Sequence, residues 1–104
     1  MPRERRIVFI PNKSAHDFSD AERFGELRFL TSGHMRRYAV NTLYRDIIEK
    51  MKDAEIDDYM LVCSLPILNC LATGILARRF GRINFLLWRD NSYIERTVNL
   101  DALL

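Results

Sequence analysis

A chain of 104 residues holds one domain, and 48% hydrophobic with 29% charged residues is too apolar for disorder. A net charge of +2 is a weak pull toward nucleic acid. The N-terminus, MPRERRIVFIPNK, is too polar after residue 10 for a secretion signal. Cys63 and Cys70 have neither metal-knuckle nor redox-pair spacing, and we read them as buried reduced thiols of a cytoplasmic protein.

Arg6–Ile10 (RIVFI) is a β-branched run closed by Pro11, which predicts a first strand. Asn12–Phe24 is a polar connection. Ser19-Asp20-Ala21-Glu22 within it has capping-box spacing, which predicts a turn or two of helix over Asp20–Phe24, stopped by Gly25. Glu26–Thr31 alternates, with Leu27 and Phe29 on one face and Arg28 and Leu30 on the other, so it reads as a second strand. After Ser32-Gly33 an amphipathic helix is expected from about Met35 to Ala54. Its apolar face is Val40, Leu43, Tyr44, Ile47, Ile48 and Met51.

Residues 57–90 then read as one strand–helix–strand crossover. Tyr59–Cys63 is a short apolar run, and Ser64 and Pro66 stand where a helix begins. Ile67–Phe80 is apolar on nearly every side, Gly81 stops it, and Ile83–Trp88 is a second apolar run. Strands joined by a helix of this length pair in parallel. Tyr59–Ala77 is as long as a membrane span, but Ser64, Pro66, Asn69, Thr73 and Gly74 interrupt it. Arg89–Ser92 is turn chemistry, and Tyr93–Val98 reads as an antiparallel edge strand guarded by Glu95 and Arg96. The tail places Leu100, Leu103 and Leu104 at helical spacing. The expected fold is therefore α/β: a small single domain with a mostly parallel sheet, two main helices and an antiparallel C-terminal edge strand.

In open parallel sheets, ligands bind beyond the carboxyl ends of the strands. Asn12, Lys13, Ser14, His16 and Asp17 follow the first strand, Ser32 and His34 the second, Ser64 the third, and Arg89 and Asp90 the fourth. Ser64 opens the crossover helix, whose N–H groups would suit an anion. The candidate ligand-binding residues are thus Asn12, Lys13, Ser14, His16, Ser64 and Arg89. Each also has a structural reading: Ser64 is an N-cap worth about 1 kcal/mol, and Asn12, Ser14 and Asp17 are ordinary turn residues. With two histidines, His16 plus His34 and one carboxylate is the sole route to a metal, and neither metal nor cofactor is expected. There is no GxGxxG, GxxxxGK, GxSxG or HExxH, so nothing in the chain marks an enzyme.

Thirteen of the 16 basic residues are arginine. Arg3, Arg5 and Arg6 on the N-terminal arm, with Arg36 and Arg37 on the helix, are the candidate nucleic-acid contacts. Arg78, Arg79 and Arg82 share a rim with Asp53, Glu55, Asp57 and Asp58 and are expected to pair with them. Gly74 lies mid-helix, where it costs about 1 kcal/mol relative to Ala, so a close helix contact is expected there. These features support a non-enzymatic interaction or regulatory protein that self-associates through the crossover helix or the Leu100–Leu104 tail. Its size suits a small viral or mobile-element accessory protein. The alternative is a phosphate-ligand protein, with hydrolase chemistry as an extension, that holds a nucleotide or nucleic acid through the strand-end loops and N-terminal arginines.

Overall fold

The computed structural model describes residues 5–32, 36, 38–63 and 65–103, with side chains through 101. Arg3, His34, Arg37 and Ser64, with the side chain of Leu103 and all of Leu104, lie outside the described residues. The strands are β1 (Ile7–Lys13), β2 (Glu26–Ser32), β3 (Tyr59–Leu61), β4 (Arg82–Arg89) and β5 (Ser92–Asn99). The helices are α1 (Val40–Lys50) and α2 (Pro66–Phe80), with short 3-10 turns at Ser19–Arg23 and Leu100–Leu103. One sheet runs in the order β2-β1-β3-β4-β5, parallel except for the β4–β5 hairpin. The expected α/β architecture is the one observed.

Several boundaries moved for physical reasons. β1 runs through Pro11 to Lys13, because the β1–β3 pairs end at Phe9–Met60 and a missing N–H beyond them costs no ladder bond on that side. α1 starts at Val40 rather than near Met35; Ala39 has ψ 63°, outside the helical region. The capping box at Ser19 does not form: the 3-10 turn has no side-chain cap, and Asp17 Oδ1 accepts the Ser19 N–H instead. Gly25 is needed for space, since a Cβ there would lie 2.3 Å from the carbonyl oxygen of Arg6. Leu65 occupies the N-cap position of α2, with Pro66 behind it in the first turn, and Gly81 ends the helix at φ 64°. The hairpin turns on Asp90 and Asn91, both at positive φ, as a two-residue turn of this hand requires.

The two faces of the sheet are covered differently. Ile7, Phe9, Met60 and Ile83 meet α1 and α2 through Leu43, Ile47, Met51, Leu68, Ala72 and Leu76. The other face, with Val8, Ile10, Tyr59, Leu61 and Leu86, is covered by the connection between β1 and β2, which supplies Phe18, Ala21 and Phe24. β1 leads to a neighbour on one side and β3 to a neighbour on the other, so right-handed connections must use opposite faces. That reversal falls between β1 and β3.

α2 is not buried around most of its circumference, as its composition suggests. Leu68, Ala72, Ile75 and Leu76 are buried, while Pro66, Cys70, Gly74 and Arg78 are exposed. Cys70 is thus an exposed thiol, and Cys63 is half-buried. On α1, Leu43, Ile47 and Met51 enter the core, but Val40 and Tyr44 are 39% and 41% exposed. Leu100 packs against the helix-side core, and its N–H bonds the carbonyl of Gly81. Among the described residues no helix is long and apolar enough to cross a membrane.

The amino edge of the sheet is locked by two buried polar side chains. Asp58 accepts the N–H groups of Ile7 and Glu55, at 2.9 and 2.8 Å. Asn84 donates to the carbonyls of Ile56 and Asp58 and accepts the Thr97 hydroxyl. On the rim beside them Asp53 pairs with Arg28, and Arg79 donates to the carbonyl of Met51.

Candidate functional site

The carboxyl ends of β1, β3 and β4 lie on one edge of the sheet, as their parallel pairing dictates. Where the connections diverge, between β1 and β3, a crevice of about 310 Å³ opens. Ser14 and His16 come from the loop after β1, Phe18 from the covering segment, and Cys63 from the loop after β3. Trp88 and Tyr93 face each other across the β4–β5 hairpin. Ligand sites of open α/β sheets form at such reversals of connection.

Aromatic rings make most of the wall. His16 stands edge-on to Trp88, with centroids 5.6 Å apart and planes at 89°, and packs on Phe18 at 4.9 Å. Trp88 packs on Tyr93 at 4.8 Å. The Tyr93 hydroxyl and His16 Nε2 are 3.3 Å apart, and Ser14 Oγ accepts the His16 backbone N–H. Tyr93 is 1% exposed, and burial pushes its hydroxyl up to about 12; charge on Cys63, Asp20 and Asp17 adds to the shift. Trp88, by contrast, is 47% exposed.

The loop after β3 is held by Asn69, from the first turns of α2. Its Oδ1 accepts the Cys63 N–H at 3.1 Å, and its Nδ2 donates to the carbonyls of Cys63 and Leu65. In the sequence, Asn69 reads only as a polar interruption of an apolar helix. Trp88 and Tyr93 were also missed, although a two-residue turn at Asp90-Asn91 sets them directly opposite each other.

Of the predicted ligand residues, Ser14 and His16 meet in the crevice. Lys13 and Arg89 end β1 and β4 on the same edge, but Lys13 lies over the Phe29 ring and Arg89 beside Asp90. Asn12 Oδ1 accepts the Thr31 hydroxyl from β2. Asp17 Oδ1 accepts the backbone N–H of Ser19. Among the described residues no group of three His, Cys, Asp or Glu side chains could hold a metal ion.

The nucleic-acid candidates are dispersed. Arg5 donates to the carbonyl of Glu22, and Arg6 to the Tyr59 hydroxyl at 2.6 Å, which Glu95 also accepts. That bond to Tyr59 raises the Arg6 pKa above its ordinary value. Arg36 lines a separate groove of about 600 Å³ between β2 and α1, where Asp46, Glu49 and Lys50 mix the charge.

A family model, described as Phage Pam3 gp32-like protein, matches residues 6–101, which takes in all five strands and both helices. The chain belongs to that family. It is thus a small phage protein, and the family description carries no activity. No curated protein and no solved structure matches it.

The protein presents a second surface on the other side of the sheet. Tyr38 and Val40 line a depression of about 260 Å³ with Leu65, Pro66 and Ile67. Beside it along α2, Tyr44 lines another of about 220 Å³ with Cys70, Leu71, Gly74 and Arg78. Tyr38 is 89% exposed.

Proposed function

We propose that this protein is a non-enzymatic interaction protein that self-associates through the outer face of α2. The observation that carries the reading is Gly74. A Cβ added there meets nothing within 4 Å among the described residues, so no contact seen inside the chain asks for glycine. An exposed mid-helix glycine costs about 1 kcal/mol relative to alanine, and close approach by a second copy gives the position a use. Pro66, Cys70, Gly74 and Arg78 form an i, i+4 row along which a second helix can pack ridge into groove. Tyr38, Val40, Tyr44 and Leu71 extend that row into an apolar surface.

A two-fold axis between Cys70 and Gly74 sets Cys70 of one copy over Gly74 of the other, an isologous arrangement of the commonest kind. Leu100, packed into its own core, is not part of the surface assigned here. The phosphate-ligand reading has less under it, because Arg5, Arg6, Arg23 and Arg28 all engage groups of their own chain.

Sedimentation equilibrium at micromolar concentration tests the proposal. A dimer that Gly74→Arg converts to a folded monomer, and that a short bismaleimide links through Cys70, is the expected result. A monomer throughout the accessible concentration range would overturn it.

A further inference from the structure

The crevice on the opposite side of the sheet carries an inference independent of self-association. We infer that it binds a planar, uncharged heteroaromatic ring of nucleobase size, stacked on Trp88 and hydrogen-bonded by Ser14 and His16. Four observations lead there.

The crevice lies at the reversal between β1 and β3, where the backbone of an open α/β sheet leaves room for a ligand. Its volume of about 310 Å³ is at the small end of ligand sites, which span about 300–1,000 Å³. That admits one ring system and little more.

Its walls select a flat ring. Trp88 is half exposed at the mouth, while its neighbours meet it at steep angles: His16 at 89° and Tyr93 at 65°. Edge-to-face packing of this kind fixes the indole plane, and a planar guest gains offset-stacking contact with it. Val62, 39% exposed, adds an aliphatic wall.

The polar groups select hydrogen bonding. Ser14 Oγ accepts the His16 N–H and keeps its own proton to donate. The imidazole shares Nε2 with Tyr93, which leaves Nδ1 without a partner among the described residues. A heteroaromatic ring with nitrogen or carbonyl edges can meet both groups. A hydrocarbon ring would leave them unpaired.

The charges select neutrality. Among the described residues that line the crevice there is no Asp, Glu, Lys or Arg. An ionised ligand would lose its water and meet only the titratable groups His16, Cys63 and Tyr93 in place of a fixed counter-ion. The charges of Asp20 and Asp17, already felt at Tyr93, disfavour an anion further.

Trp88 is the sole tryptophan, so its indole N–H gives one side-chain signal in a nitrogen-15 correlation spectrum. Titration with adenosine and with indole should move that signal saturably, and benzoate should bind about tenfold more weakly. His16→Ala and Ser14→Ala should each weaken the adenosine response; both positions are exposed, so the fold is retained. Three results would each overturn the inference: no saturable shift with either neutral ring, benzoate binding as well as they do, or adenosine binding that neither variant changes. The crevice and the α2 surface lie on opposite faces, so Gly74→Arg should leave the titration unchanged. Its failure would thus be told apart from a failure of self-association.

Discussion

The carboxylate of Asp20 accepts the backbone N–H of Tyr93 at 2.7 Å, joining residues 73 apart in the chain. Arg23 completes the tie by donating to the Tyr93 carbonyl and pairing with Asp20. The covering segment between β1 and β2 contains no α-helix, and this clamp holds it down on the β4–β5 hairpin. The crevice wall formed by His16 and Phe18 therefore depends on a bond to the edge strand β5.

Acid should open that clamp first. The Tyr93 N–H, and after it Arg23, hold the Asp20 carboxyl below its ordinary range, and the N–H and hydroxyl of Ser19 do the same for Asp17. A carboxyl with a depressed folded-state pKa adds stability above its unfolded value, and that stability is lost as pH falls through the folded one. Below pH about 4, the amides of Ala21 and Tyr93 should lose exchange protection before that of Ile47. In Asp20→Asn the early loss should be present already at neutral pH.

Alkali should act through Tyr93. Its hydroxyl is pushed up to about 12, whereas an unfolded tyrosine titrates near about 10. The unfolded chain releases the proton first, so this residue's contribution to stability is level below about pH 10 and falls between there and about pH 12. Urea midpoints measured across that range should decline, and Tyr93→Phe should remove this residue's share of the decline.

Asn84 is a lock of the amino edge, with 2% exposure and three hydrogen bonds. Asn84→Leu leaves the carbonyls of Ile56 and Asp58 without that donor, at a cost of about 1–3 kcal/mol. Thr97→Val removes only one of the three bonds, to Asn84 Oδ1, and should cost less than Asn84→Leu. Urea denaturation of both variants gives the comparison.

Gly74→Ala separates the folding of one copy from assembly. With open space around the added methyl, the single chain should gain about 1 kcal/mol in helix propensity. If α2 packs closely on a second copy, the same methyl should weaken the dimer. Thermal midpoints under dilute conditions and sedimentation at higher concentration should therefore move in opposite directions.

Local pattern determined the elements of this protein and the parallel pairing of β3 with β4. The alternation of Glu26–Thr31, the helix of Pro66–Phe80 closed by Gly81, and the turn at Asp90-Asn91 each encode their own conformation within a few residues. A helix between two strands forces them parallel, so the carboxyl edge and the positions of Lys13, Ser14 and Arg89 on it were also legible. What covers each apolar face was decided only by tertiary structure. Periodicity put Val40 and Tyr44 on the same stripe as Leu43 and Ile47, but the sheet is wide enough for one side of that stripe, and the other remains at the surface. Likewise no local signal connects His16 with Tyr93, 77 residues away, or Asn69 with the carbonyl of Cys63. Those contacts depend on how far each connection reaches across the sheet, and that distance is set by packing rather than by the residues that make the contact.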